Sequence, residues 1–471
     1  MYVLSIGRII QMKFARPIFR CASILVACYI GGLALLFLAY LIPTGPIRQN
    51  LVESAQVFES EGVYPSLSTR TASTLDNFTD TKMLLTAGYE GAEPLVERVV
   101  MGYSSRLRSV SPVETFIHVY DPQSFPTEEE LAISNYSRYW QGYLVVLKPL
   151  LVILNYSQIR LINALAQVAL FVMLVLRMHR KNLEGLIAPL LISVITIAPV
   201  AITKSLQYSA VFYLTLTSCH VVVSKGKSWT DKGADSKLQE WFFFVGALTS
   251  YFDFLTYPLL TLGFPIIILE NMIAGRSLRS SVCELLGLCV FWGAGYALMW
   301  GGKWLIGALL LRDPNIVADA LNQVSYRSSI SEGAGVSLPQ GYSVAVAVER
   351  NIQTYFSWMT SWLLRAAAVV CAFAAVFGVW RRRSNLRGLC RDIRVLAYNH
   401  LPLLFIAALP FFWYMAIGNH SFVHSFFTYR ILSITTFAVV AFVFALVAGT
   451  FMSPCSEKNT SKRSEMDARS N

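Results

Sequence analysis

The chain has 471 residues, of which 55% are hydrophobic and only 14% charged, and its mean hydropathy is +0.51. A water-soluble domain carries about 25% charged residues, so an ordinary soluble enzyme is excluded and an all-α polytopic membrane protein is expected. The net charge of +11 then reports first on which side of the membrane each loop lies, and nucleic acid is not an expected partner.

A helix needs about 20 apolar residues to cross a hydrocarbon core of roughly 30 Å. In chain order the qualifying stretches are 22–41, 158–176, 186–201, 206–223, 241–255, 257–273, 282–299, 362–380, 401–417 and 431–451. They make about ten spans in a single transmembrane domain, 1–471, with the fifth and sixth running together at Pro258. The first stretch is long and lacks a small-residue cleavage site, so it reads as a retained helix. Arg8, Lys13, Arg16 and Arg20 precede it. The segments RMHRKN, SKGKSWTDKGADSK, AGRSLRSS and WRRRSNLRGLCRDIR each follow an even-numbered span, and the tail 453–471 follows the tenth. Together these segments hold 23 of the 39 Lys and Arg residues. That marks them as cytoplasmic and places both termini inside. Cys21, Cys28, Cys219, Cys283, Cys289, Cys371, Cys390 and Cys455 all fall in spans or on that side, so no outer disulfide is expected.

Four outer segments remain. The first, 44–156, is the longest and is partly helical, with breaks at Gly91, Pro112, Pro122 and Pro126. It closes on an acidic run, then aromatics, then an apolar run with Lys148 and Pro149 that is too short to span and reads as an interfacial helix. The second is the turn TKSLQYS around Lys204, and the third covers 301–360, where the stretch after Lys303 reads as another interfacial helix. The fourth is NHSFVHSFFTYR, 419–430, and the turn SYFDFLTYP with Asp253 reaches the same face.

The residues able to carry chemistry crowd these segments. In TLDNFTDTKMLL, Asp76 and Asp80 stand at helical i,i+4 spacing on one face, with Thr74 as the expected cap. Two such carboxylates raise each other's proton affinity, which suits a general base. They equally suit a shared divalent cation such as Mg or Mn, or are simply solvated acids at a helix start. Lys82 adds a cation to the same stretch. In SRYWQGY, Arg138 can hold a lipid-linked phosphate while Trp140 holds a sugar or isoprenoid, or the group is an interfacial aromatic belt. His420 and His424 lie one turn apart and Arg430 opens the last span. That spacing fits a two-His metal site, phosphate donors or plain interfacial polar residues, and it lacks the Glu of HExxH. Lys204 and Lys303 are phosphate candidates, whereas snorkelling accounts for Arg365. GGKW lacks the spacing of a P-loop. Asp253, the one acid in its turn, can pair with a lysine or bind a sugar hydroxyl.

This layout of a long loop after the first helix, an early acid in it, and Arg and His clusters at span ends resembles the GT-C class of membrane glycosyltransferases. The pieces LDNFTDTKML, YSRYWQGYLVVLKPLL, SLQYSAVFY, SYFDFLTYP, GKWLIGALLL and NHSFVHSFFTYR are also similar to those of a group of uncharacterised bacterial multi-span proteins. The resemblance covers most of the chain as layout plus short motifs, without the adjacent acidic pair of several GT-C families. It implies a bacterial cytoplasmic-membrane enzyme that takes sugar from a polyprenyl-phosphate lipid and passes it to a glycan, lipid or protein acceptor with inversion. Asp80 or Asp76 would be the base, and Arg138, Lys204, Lys303 or Arg430 would meet the phosphate. The rivals are a lipid or oligosaccharide transporter or flippase, an O-antigen polymerase or ligase, and an assembly protein. All the enzymatic readings require that acid and basic side chains far apart in the chain converge on one pocket.

Overall fold

The computed structural model describes residues 2–121, 131–231, 235–328 and 338–451. The tail 453–471 with Cys455, the breaks at Pro122 and Pro126, and most of the acidic run before the SRYWQGY segment lie outside the described residues. The chain is a multi-pass α-helical membrane protein. Among the described residues six helices are long and apolar enough to cross a membrane, or seven if the pair Arg383–His400 and Pro402–Ala416, bent by 46°, forms one span.

In chain order, α1 (Tyr2–Tyr40) leads into a folded segment of α2 (Thr44–Glu61), α3 (Asn77–Ala87), α4 (Leu95–Met101), β1 (Ser104–Leu107), α5 (Pro112–Tyr120), β2 (Leu131–Ser134) and α6 (Leu144–Leu151). Strands β1 and β2 pair antiparallel, Ser104 opposite Ser134, a small sheet absent from the all-α expectation. This segment has its own apolar core, in which Ile47, Leu51, Phe58, Leu84, Phe116 and Leu144 are fully buried against the ends of α1 and the later helices. The short α6 does carry Lys148 and Pro149, but Lys148 is buried and sits 5.0 Å from the Tyr40 ring centroid.

Next come α7 (Tyr156–Arg180), α8 (Ile187–Thr196), α9 (Pro199–Lys204), α10 (Leu206–Asp231), α11 (Asp235–Phe252), α12 (Leu260–Met272) and α13 (Leu278–Leu311). The remainder is α14 (Asn315–Ser328), α15 (Val344–Tyr355), α16 (Trp358–Arg381), α17 (Leu386–His400), α18 (Pro402–Ala407), α19 (Leu409–Ala416), α20 (Gly418–Val423), α21 (Ser425–Thr428) and α22 (Ser433–Phe451).

Four of the ten expected stretches do not each form one helix that is long and apolar enough by itself to cross a membrane. The stretch 186–201 breaks where Ala198 takes φ 53° and Pro199 opens a new turn. The stretch 401–417 splits into α18 and α19, each with a proline in its first turn, where the missing N–H costs nothing. Helix α12, at 13 residues, is about 20 Å long at 1.5 Å per residue. Helix α11 has 18 residues, stops at Asp253 and carries three charged residues near its start, Asp235, Lys237 and Glu240. The stretch after Lys303 does not begin a helix of its own: α13 runs unbroken for 34 residues until Arg312, at φ 55°, turns the chain into α14.

Helices α11 and α13 approach backbone to backbone through small residues, as membrane helices do. A Cβ on Gly246 would stand 2.1 Å from the Trp292 carbonyl oxygen, and one on Gly295 2.0 Å from that of Phe243. Gly295→Leu is therefore expected to cost at least about 3 kcal/mol. Size-exclusion chromatography of the detergent extract should show loss of the monodisperse peak.

Arginines cluster at the C-terminal end of α7 (Arg177, Arg180), the start of α13 (Arg279) and the end of α16 (Arg381 to Arg383). The opposite ends of α7, α10 and α22 meet the segment 44–156.

Candidate functional site

Asp76 itself, and not Thr74, caps α3. Its carboxylate accepts from the Thr79 amide and hydroxyl, both at 3.0 Å, while the Thr74 hydroxyl pairs with Ser66 at 2.9 Å. Neither aspartate is solvated, for Asp76 is 3% exposed and Asp80 is wholly buried. Burial pushes the Asp76 carboxyl up to about 7, and the charge of Asp80 adds to the effect while Thr79 and Lys82 oppose it.

One turn on, Asp80 has a different surrounding. One oxygen accepts from the Gln207 amide at 2.9 Å; the other accepts from the Tyr156 hydroxyl at 2.5 Å, the Leu206 amide at 2.8 Å and the Ser205 hydroxyl at 3.3 Å. Asp80 thus caps the first turn of α10, where orphan amides and the helix dipole favour an anion. Burial raises its proton affinity, and Tyr156, the two amides and Arg160 pull the other way. Arg160 lies 4.2 Å from the Tyr156 ring centroid, grips Glu61 at 2.7 and 3.0 Å and reaches Asn77 at 3.1 Å. Glu61, Asn77, Asp80, Tyr156 and Arg160 form one network tying α2, α3, α7 and α10 together. Both Asp80 oxygens are thus engaged by protein donors.

Arg430 is fully buried. Its Nε donates to the Ile197 carbonyl at 3.0 Å and its Nη1 to the Phe426 carbonyl at 3.3 Å, while Nη2 has no partner among the described residues. Ile197 is the residue that ends α8, so the guanidinium covers the negative end of that broken helix. Its plane lies 4.3 Å from the Tyr208 ring centroid and 4.9 Å from that of Tyr429. These two tyrosines carry the chain leading into Asp76, for Tyr208 donates to the Thr74 carbonyl at 3.4 Å and Tyr429 to that of Ala72 at 2.8 Å.

Both oxygens of Asp253 accept from the Thr256 amide, at 3.1 and 3.0 Å, so it caps the turn between α11 and α12. In that turn Leu255 holds φ 66°, a strained conformation for a bulky side chain. Its carbonyl lies 2.7 Å from His420 Nε2, and the His424 ring lies against that of His420, tilted by 50°, with centroids 4.7 Å apart. Burial lowers the proton affinity of both rings, reinforced at His420 by His424 and at both by Arg327; for His424 it falls to about 4. They are neutral imidazoles.

The remaining candidates are committed elsewhere. Trp140 is 1% exposed and gives its indole N–H to the Met299 carbonyl at 2.7 Å, so it belongs to a helix contact and not to a surface belt. Lys303 is buried against it, 5.7 Å from the ring centroid, and donates to the Val100 carbonyl at 2.7 Å. Arg138 pairs with Asp319 at 3.1 Å. Lys204 ends α9 on the exposed surface.

What does come together is a circuit of mostly half-buried side chains. Tyr64 meets Phe426 (centroids 5.5 Å apart), and Phe426 meets His424 at 6.1 Å. The charge of Arg327 acts on His424 and on Tyr136. Lys82 Nζ lies 5.2 Å from the Tyr136 ring centroid and 4.9 Å from that of Phe78, which stacks on Tyr64 at 6.0 Å. Asp76 is within electrostatic reach of Lys82 and of the Tyr64 hydroxyl. Arg327, Tyr64 and Tyr136 were not among the expected site residues; Tyr136 adjoins the SRYWQGY segment, but no motif flags Arg327 or Tyr64. Arg327 has one buried guanidinium nitrogen without a partner and forms no ion pair among the described residues.

Two hollows flank α3. A polar cavity of about 230 Å³ is lined by Phe78, Lys82, Ser104, Ser105, Arg106 and Ser134, among others. An apolar groove of about 440 Å³ runs between α6, α7 and α10, past Met83, Tyr143, Leu147, Ile159 and Tyr213. No group of three or more His, Cys, Asp or Glu side chains among the described residues is arranged to hold a metal ion. No protein-family model matches the chain, and neither curated proteins nor solved structures give a significant match.

Proposed function

We propose that this protein is an integral membrane glycosyltransferase that moves a sugar from a polyprenyl-phosphate donor to an acceptor outside the bacterial cytoplasmic membrane. The observation that carries the reading is Asp76. It is a buried carboxylate with a proton affinity near neutrality, held by Thr79 alone, beside a circuit of aromatic and cationic side chains from three distant parts of the chain. In this reading the circuit opens on the outer side, about ten apolar segments traverse or enter the membrane, and both termini are cytoplasmic.

Asp76 takes the proton of an acceptor hydroxyl as that oxygen attacks the anomeric carbon. The bond from this carbon to the phosphate oxygen breaks, the centre inverts, and polyprenyl phosphate departs. The charge developing on the leaving phosphate is met by Lys82 and Arg327, which replace Arg138, Lys204, Lys303 and Arg430 in that role. Tyr64 and Tyr136 present ring faces to the sugar, and the neutral His420 and His424 exchange hydrogen bonds with its hydroxyls. The apolar groove takes the first isoprene units. Asp80 holds α10 in place.

The test uses purified protein in proteoliposomes supplied with a polyprenyl-phosphate sugar and candidate acceptors. The expected result is glycosylated acceptor together with free polyprenyl phosphate. Movement of intact lipid-linked sugar between leaflets without cleavage would replace this reading by a flippase.

A further inference from the structure

At the end of the molecule opposite Asp76, residues 381–400 carry six arginines and one acid, Asp392. Asp392 is taken: Arg382, itself buried, bonds it at 2.8 Å and the Gly449 carbonyl at 3.3 Å, and Arg391 stands 3.9 Å away. The other arginines are exposed. Helix α17 is amphipathic in an unusual sense. One face seats Leu389, 2% exposed, and Leu396 on α22, where Leu396 fills the space a side chain at Gly449 would need. The other face sets Arg387, Arg391 and Arg394 at i, i+4, i+7 spacing around an open hollow that also holds Cys390. Beside this stripe, Leu386, Val395 and Tyr398 are each at least half exposed. The helix follows α16, which is long and apolar enough to span, and precedes the apolar α18, an order that fits a place where hydrocarbon gives way to headgroups.

We propose that this face of α17 is a binding site for anionic phospholipid, with Arg387, Arg391 and Arg394 on the headgroup phosphate and Leu386, Val395 and Tyr398 against the acyl chains. A solvated basic face would not place apolar side chains of this size beside the arginines. A site for a free anion would not need them. The inference is independent of the enzymatic reading.

The experiment compares full-length protein with Arg387→Gln/Arg391→Gln/Arg394→Gln, both purified with dioleoylphosphatidylglycerol or dioleoylphosphatidylcholine. Lipid retention is read by native mass spectrometry and thermal unfolding by fluorescence. Wild type should retain phosphatidylglycerol in preference to phosphatidylcholine and be stabilised by it. The triple variant should lose about a hundredfold in apparent affinity, from roughly fivefold per arginine. Arg108→Gln/Lys204→Gln, at the other end, should change nothing. Because the arginines are exposed, Arg387→Gln alone serves if the triple variant is poorly folded, and it should lose about fivefold. Equal retention of the two lipids, or undiminished retention by the variants, overturns the proposal. So does an equal stabilisation by inorganic phosphate, which would make the site one for a free anion.

Discussion

Asp76→Asn is expected to abolish sugar transfer in a protein that remains folded, and Asp80→Asn to weaken the fold itself. Asparagine at position 76 still offers a side-chain oxygen to the Thr79 amide, so the cap of α3 persists. The buried charge is removed. The sign follows from the direction of the shift: the folded state holds the Asp76 proton more firmly than the unfolded chain, whose carboxyl has the ordinary value of 3.8. Wild-type stability therefore declines as pH rises from about 4 through about 7, and the asparagine variant lacks that decline. Above pH 7 its unfolding temperature should equal or exceed that of wild type, while transfer falls by about 10²–10⁴. At position 80 the amide nitrogen of asparagine must face a backbone N–H whichever way it is turned, because Gln207 donates to one oxygen and Leu206 to the other. One or two buried donors lose their acceptor, at about 1–3 kcal/mol each. An Asp80→Asn protein with wild-type unfolding temperature and no transfer would exchange the two roles.

Arg160→Met should be the most damaging single change in the network below the site. Its guanidinium makes a two-pronged contact to Glu61 and a third bond to Asn77. Burial opposes the Glu61 charge, but the hydrogen bonds and charge of Arg160 outweigh it and hold that carboxyl below the ordinary value. That contribution is present above about pH 4.5, is lost as pH falls further, and is missing in the variant at every pH. Removing one partner of a buried pair costs about 3–5 kcal/mol; with the Glu61 side chain a quarter exposed, the lower figure is expected. Adding Glu61→Gln should restore part of the loss, and thermal unfolding of the two single variants and the double measures the coupling.

The gross architecture was legible because a span is mostly a matter of apolar length, and six of the ten expected stretches coincide with long helices. The other four failed for local reasons that length does not report: a left-handed residue at Ala198, prolines at 199, 402 and 410, and the Asp253 cap. The strands SSRL and LAIS, at four residues each, are too short to show a period of two. At the site, helical spacing placed Asp76 and Asp80 on one face but carried no information about what faces them. The start of α10, which claims Asp80, lies 126 residues further along. From its neighbours in sequence Trp140 read as a sugar or isoprenoid contact or part of an aromatic belt, and Lys303 as a phosphate ligand, whereas tertiary contacts with Met299 and Val100 bury both. Arg327 sits in a stretch with no distinguishing pattern, and only the folded chain brings it to the histidines.

The role of Asp76 is tested most directly by the rate of sugar transfer as a function of pH in reconstituted wild-type protein. A base whose proton leaves near 7 predicts a rate that climbs tenfold per pH unit below that point and levels off above it, with Asp76→Asn inactive throughout. A rate that is flat between pH 5 and 9, or an Asp76→Asn protein working at the wild-type rate, would contradict it.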